Sequence, residues 1–378
     1  MWYHHQYYHT MRKIFKQLHI WLSIPLGVVI AITCFSGAML IFEKEITRMV
    51  QRDYYYVEED WGEPLPLDVL VAAVEPTLEE GRKITGVTIS DDPEQSYKVN
   101  INTPKRAAVY VDQYTGEVLG EPGRLEFFKD MFRLHRWLMD ERPEDKDAVF
   151  WGKMIVGVST LLMVIIILTG AVLWFPKSLK ALKHRSQIAL RKGWHRFWYD
   201  LHVAGGIYAT LLLLAMALTG LTWSFEWYNK GFYKLLGADT EASAGALAKS
   251  SKGGAKSNIE NPYMHWSDVV REVESRNGEF VEMTISKGKV DVKSSNCGNQ
   301  RAKDTYHFDS ATGEITSVER YADKASGSKA KGWVYSVHVG SWGGIFTRVL
   351  WFLAAMLGAT LPLTGYYLWV KRKFFKRK

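Results

Sequence analysis

The chain has 378 residues, a formal net charge of +8 and 47% hydrophobic residues, so its length alone would allow two or three soluble domains. The apolar residues are concentrated in four runs, and the basic residues flank those runs; together these exclude an ordinary soluble domain and a nucleic-acid-binding role. There are only two cysteines, Cys34 and Cys297, and no Cys-x-x-Cys-His, which excludes covalent c-type haem attachment and cysteine-built metal clusters.

In chain order, Arg12, Lys13 and Lys16 precede a first apolar run at 18–42, which contains His19 and the pair Ser36-Gly37. The run is too long for a cleavable signal peptide, and no small-residue cleavage site follows it. Residues 44–149 form a long connection. Helical spacing is expected at 67–80 and alternating strands at 87–89, 97–101 and 108–112, closed by the turn string Asp112-x-x-Thr115-Gly116-Glu117. His135 lies just before the second run, 150–175, which ends in Thr169-Gly-x-x-Leu-Trp174.

A short basic connection, 176–200, carries Lys177, Lys180, Lys183, Arg185, Arg191, Lys192 and Arg196. The third run, 201–225, opens with Leu201-His202 and contains Thr219-Gly220. Residues 226–344 repeat the plan of the first long connection. A Gly/Ala/Ser-rich linker is expected at 237–258, a helix at 265–275, and strands at 280–285, 289–293 and 304–309. The turn string recurs as Asp309-x-x-Thr312-Gly313-Glu314, followed by His338. The fourth run and tail, 345–378, contain Thr364-Gly-x-x-Leu-Trp369 and a basic C-terminus.

Each run has the roughly 20 residues needed to cross a hydrocarbon core of about 30 Å. The domain boundaries are therefore expected at 1–43, 44–149, 150–175, 176–200, 201–225, 226–344 and 345–378. Lys and Arg near the run ends place both termini and the 176–200 connection in the cytoplasm. The two long connections then lie outside, which for a bacterial inner-membrane protein is the periplasm. The paired strings imply a duplication. The expected fold is an α-helical membrane protein with four transmembrane helices as two parallel repeats, each carrying a periplasmic α+β unit, about an axis along the membrane normal.

That axis maps His19 on His202 and His135 on His338. Ionisable groups at membrane depth are usually functional, and neutral imidazole suits iron. One histidine from each half would give six-coordinate iron. Two haem b groups are expected, one on His19 and His202 at the cytoplasmic side, the other on His135 and His338 at the periplasmic side. Zinc or copper is the weaker alternative, since no Asp, Glu or Cys accompanies the histidines at metal spacing.

His195 is a second-tier ligand. It lies about two turns before His202, and His202 is preferred because only it matches His19. Ser23 and Gly206, one turn after their histidines, either leave room for a flat macrocycle or serve close helix packing. Arg12, Lys16, Arg196, Arg133, Arg136 and Arg348 could neutralise propionates, but topology explains them equally well. Trp137 and Trp342 lie near enough in sequence to line a pocket. His184 reads as solvated, His4, His5 and His9 belong to an aromatic tail, and His265 and His307 have no equivalents.

From about residue 12 to 372 the sequence resembles the PepSY-associated transmembrane helix proteins. The resemblance rests on Lys16-Gln-Leu-His19-Ile-Trp, Phe132-Arg-Leu-His135-Arg-Trp and Tyr199-Asp-Leu-His202-Val-Ala-Gly-Gly. The repeated Thr-Gly-x-x-Leu-Trp and the two PepSY-like turn strings add to it. It implies an inner-membrane, dihaem b-type reductase that reduces a ferric siderophore or other Fe(III) chelate in the periplasm, releasing Fe(II). No Gly-x-Gly-x-x-Gly follows a strand, so electrons are expected from a quinol or a separate cytoplasmic reductase. The run Val339-Gly340-Ser341-Trp342-Gly343-Gly344 departs from the other three histidine contexts. Two other readings stand beside this one: a haem subunit of a quinol-linked system, and a non-enzymatic ligand-binding transporter or sensor.

Overall fold

The computed structural model describes residues 2–58, 62–145, 147–176, 178–238, 261–294 and 298–375, with the backbone alone for 2–9. Cys297, most of the expected linker at 237–258, Lys177, and Lys376-Arg377-Lys378 lie outside the described residues. The chain divides into two compact units. One comprises Met1–Glu43, Glu126–Leu235 and Val334–Lys378, the other Lys44–Leu125 and Leu236–Trp333.

The first unit is helical. Its four apolar runs form helices long and apolar enough to cross a membrane: Thr10–Leu40, Trp151–Trp174, Trp194–Ser224 and Ser341–Phe374. A spanning segment must satisfy its own backbone donors and acceptors, which a helix does. The third and fourth spans extend beyond their apolar runs, because Trp194–Asp200 and the basic end at Lys371–Lys373 continue the helices. Spans one and two, two and three, three and four, and four and one pack side by side. Ala209, Leu213 and Ala354 form a buried centre there, with Met163, Ile167, Met216, Leu357 and Leu361 packed around it.

The third span is not uniform. One turn of wider π-helix, Leu201–Gly205, separates Trp194–Asp200 from Gly206–Ser224. Such turns are rare and cluster at functional sites. Asp200, only 3% exposed, sits at the start of this turn. It is paired with Arg196 at 2.7 Å and accepts the Ala189 N–H at 3.1 Å.

The second unit is an antiparallel sheet with β1 Ile84–Ser90, β2 Tyr97–Ile101, β3 Ala108–Val111, β4 Val118–Gly120, β5 Glu282–Ser286, β6 Lys289–Lys293, β7 Asp304–Phe308 and β8 Ile315–Glu319. The strand order is β4-β3-β2-β1-β5-β6-β7-β8. The sequence suggested two separate α+β units; instead β1 pairs with β5, joining both sets of strands into one sheet. The register centres on Thr88 opposite Thr284, whose hydroxyls are 2.9 Å apart. This pairing removes two strand edges that would otherwise expose backbone donors and acceptors.

Helices Leu67–Val74 and Trp266–Asn277 contribute to the same core as the strands, with Leu70, Val74, Val87, Val99, Trp266, Met283, Ile285 and Tyr306 buried. The helix expected at 67–80 stops at Val74, where Pro76 turns the chain into a 3-10 turn, Glu75–Thr77. Both turn strings form the same loop. Gly116 and Gly313 each adopt φ +76°, and their N–H groups bond the Asp112 and Asp309 carbonyls at 2.9 and 2.8 Å. Each Asp carboxylate also accepts the backbone N–H two residues on.

Candidate functional site

All four paired histidines fall in the helical unit, and they meet in twos. The His19 and His202 ring centroids are 6.4 Å apart with the planes at 81°. The His135 and His338 centroids are 6.1 Å apart with the planes at 49°. His19 and His202 come from the spans themselves. His135 comes from the short helix Glu126–Trp137, packed on the first two spans, and His338 lies one residue before the C-terminal end of helix Ser326–Val339.

Each imidazole is oriented in the same manner. His19 Nδ1 donates to the Ile166 carbonyl at 3.0 Å and lies 3.1 Å from Thr169 Oγ1. His202 Nδ1 donates to the Leu361 carbonyl at 3.2 Å and lies 2.9 Å from Thr364 Oγ1. His338 Nδ1 donates to the Met216 carbonyl at 3.0 Å and lies 3.2 Å from Thr219 Oγ1. His135 Nδ1 donates to the Thr33 carbonyl at 2.8 Å. A carbonyl oxygen only accepts, so Nδ1 carries the proton in all four rings. Nε2 of the neutral ring is then left with its lone pair free.

A glycine lies against each ring beside these acceptors. A Cβ on Gly170, Gly365, Gly220 or Gly37 would come within 3.2, 3.3, 3.0 or 2.7 Å of the Cε1 of His19, His202, His338 or His135, respectively. Thr169-Gly170, Thr364-Gly365, Thr219-Gly220 and Ser36-Gly37 are therefore four seats, each receiving a histidine from another helix. The sequence contained these pairs as repeat markers. What it did not reveal is that the pair on one helix serves the histidine of a different one.

His195 is not in either pair. Its ring lies 6.0 Å from that of Tyr367, whereas His202 falls within the π-turn Leu201–Gly205. Ser23 Oγ returns its proton to the His19 carbonyl, while a Cβ on Gly206 would meet Leu361 at 3.7 Å. Arg12 and Arg185 donate to the last carbonyls of the second span, Leu173 and Trp174. Arg348 donates to the Ile41 carbonyl, and Arg133 to that of Met139. The Trp223 ring packs 5.1 Å from His338, and Trp342 packs on Trp351. His184 lies beside Arg196, and His265 against Gly313 in the sheet unit.

The glycine run after His338 ends one helix and begins the next. Gly340 is left-handed at φ +71°, its face against Trp351, and Ser341–Gly343 makes one 3-10 turn before the fourth span continues at Gly344. A side chain at Gly340 would be strained and would collide with Trp351.

Burial, opposed by the hydrogen bond to Thr33, holds His135 below the ordinary histidine range. Burial and then the charge of His135 push His338 down to about 4. Both rings are therefore neutral at pH 7, the form in which imidazole binds a metal. Over residues 16–372 the sequence matches the family described as PepSY-associated TM region, a stretch that includes all four seats and both units. The chain belongs to that family. It is a multi-pass membrane protein of the PepSY-associated family, with four spans and an antiparallel sheet unit. No curated protein matches it.

Proposed function

We propose that this PepSY-associated protein is a transmembrane electron-transfer protein that holds two b-type haems and reduces a chelated Fe(III), such as a ferric siderophore, on the outer side of a bacterial inner membrane. One observation carries the reading: four imidazoles stand in two facing pairs, each with Nδ1 held by a carbonyl from another helix. Two imidazoles that shared one metal at about 2 Å would have ring centroids no more than about 6 Å apart. The separations of 6.4 and 6.1 Å lie close to that limit.

Each pair takes one histidine from residues 1–175 and one from 201–378, which supports two parallel repeats about an axis between the pairs. His19 and the Thr33 carbonyl that orients His135 are 14 residues apart on one helix. His202 and the Met216 carbonyl that orients His338 have the same separation. At 1.5 Å per residue the two levels are about 21 Å apart, most of a bilayer core.

Bound haem would supply a one-electron couple at each level. The chain's own residues do the rest. The carbonyls and threonines fix the tautomer and raise the basicity of Nε2. The glycines let each ring approach its seat. The apolar centre at Ala209, Leu213 and Ala354 keeps water out between the levels. His19 with His202, and His135 with His338, would hold the two haems, so the substrate's iron need not bind there. One electron crosses by an outer-sphere route and converts Fe(III) to Fe(II), which oxygen chelators hold less tightly. The donor is a quinol or a separate cytoplasmic reductase. Basic residues at the span ends support cytoplasmic termini and a periplasmic sheet unit.

The test is a reduced-minus-oxidised spectrum with haem quantitation on wild type and four His→Ala variants. Two haems are expected, one lost in both His19→Ala and His202→Ala, the other in both His135→Ala and His338→Ala. A colourless protein after haem-replete expression would sink the reading. So would loss of the same haem by His19→Ala and His135→Ala.

A further inference from the structure

Two short helices each begin within three residues of the end of a membrane span. Glu43–Val50 follows the first span, Thr10–Leu40, whose apolar run continues to Phe42. Glu226–Leu235 follows the third span, Trp194–Ser224, with Phe225 alone between them. Successive Cα atoms are about 3.8 Å apart, so the two helices start at most about 11 and 8 Å from the last residues of their spans. A headgroup layer is about 5–7 Å deep on each side of the hydrocarbon core. Covalent reach alone keeps the first turn of both helices near the membrane surface.

Each helix buries one residue and leaves an apolar face uncovered. In Glu43–Val50 the buried residue is Thr47. Ile46, Met49 and Val50, spaced i, i+3 and i+4, share another face and are 41, 76 and 64% exposed. In Glu226–Leu235 the buried residue is Tyr233. Trp227, Gly231 and Leu235 are spaced one turn apart on the far side, where Trp227 and Leu235 are 64 and 84% exposed. A Cβ on Gly231 would meet nothing within 4 Å. None of these six residues is charged, and apolar faces of this kind mark protein or membrane contacts.

The charges of the two helices select no charged partner. Lys44 and Arg48 balance Glu43 and Glu45, and Glu226 pairs with Lys230 at 2.8 Å, leaving Lys234. Whatever covers the two faces must also be present at the ends of two different spans. The bilayer meets that requirement without any further component, and tryptophan is enriched at its surface.

We propose that Glu43–Val50 and Glu226–Leu235 are interfacial helices that lie along the membrane surface. Ile46, Met49, Val50, Trp227 and Leu235 enter the boundary between headgroups and acyl chains, a depth of about 5–10 Å. The inference rests on the four spans and holds with or without bound haem.

The experiment uses full-length protein carrying Cys34→Ala and Cys297→Ser in phosphatidylcholine nanodiscs. One spin label is placed on Met49→Cys, on Leu235→Cys or, as a control in an exposed turn of the sheet unit, on Lys105→Cys. Collision with oxygen, which concentrates in lipid, is compared with collision with a water-soluble nickel chelate. The oxygen-to-nickel ratio at positions 49 and 235 is expected to be several-fold that at 105, and unchanged by salt or added phosphatidylglycerol. A label on Ile46→Cys should lose its lipid-like ratio in Met49→Gln/Val50→Gln, a change of two exposed residues that leaves the fold intact.

A ratio at 49 or 235 equal to that at 105 would overturn the proposal for that helix. Labels shielded from both reagents would overturn it as well, since they would show protein cover, a second copy of this chain included. A ratio that falls as salt rises would mark a surface held by charge and would also sink it. So would an Ile46→Cys label that stays lipid-like in the double glutamine variant.

Discussion

The two histidine pairs solve one problem with different tolerance. In the His19–His202 pair, both rings come from long spans, both have a threonine hydroxyl as well as a carbonyl near Nδ1, and both glycine seats leave more than 3 Å. In the His135–His338 pair both rings come from short helices. His135 has only the Thr33 carbonyl, and Ser36 Oγ donates to the Ile32 and Thr33 carbonyls. Its glycine seat is also the tightest, at 2.7 Å. The first pair is held by redundancy. The second is held by close fit, so it should be the easier of the two to break by adding volume.

The largest effect should follow from adding one methyl group. Gly37→Ala forces the His135 ring off its seat and should abolish the haem of the second pair while sparing the first. Gly365→Ala, with 3.3 Å available, should only weaken the first. Haem quantitation on the two variants checks this, and equal losses would remove the distinction. Next, Thr169→Val or Thr364→Val should cost roughly 10- to 100-fold in haem affinity at the first pair, the usual effect of removing a group that orients a ligand. Ser36→Ala should cost the second pair nothing measurable, since His135 does not use that hydroxyl. Haem transfer to an apo-acceptor protein measures both.

Acid should reach the second pair late. Both its rings have folded-state pKa values below the ordinary 6.5, His338 near 4. The unfolded chain binds protons as pH falls through 6.5, whereas burial holds both folded rings below that range, His338 down to about 4. The neutral rings therefore contribute stability that is present above pH 6.5 and lost as pH falls toward 4. Acid titration of the haem spectrum in the His19→Ala variant, which isolates the second pair, should show ligand loss centred well below 6. A midpoint at 6.5 would mean that these rings are not buried in the resting protein. The smallest change is expected from Trp223→Leu. Removing the ring 5.1 Å from His338 should move the absorption band of the second haem and leave the first unchanged.

Much of this layout was legible along the chain. Four apolar runs of bilayer length specify four spanning helices, because backbone groups in lipid have no other partner. The turn strings specified their loops in both places, since an Asp carboxylate and a left-handed glycine act locally. Equivalent spacing also suggested which histidines would face each other. Legibility ended where contacts cross between distant segments. The Thr-Gly pairs were visible, but spacing along one helix does not say which other helix lies against it. Their role as seats was therefore hidden, as was the π-turn that contains His202. Strands β4 and β8 were missed because they are the edge strands and bury no alternate face, so hydropathy gives them no alternation.

The sequence by itself determined that this is a multi-pass membrane protein and suggested which histidines would pair, because hydropathy and local turn chemistry are properties of contiguous residues. The tertiary structure alone decided the rest. It brought β1 onto β5, so that two sets of strands became one sheet, and it set each imidazole against a carbonyl and a glycine from another helix. Both outcomes depend on long-range pairing, where complementary edges and the close approach of small residues choose among partners that no interval along the chain can specify.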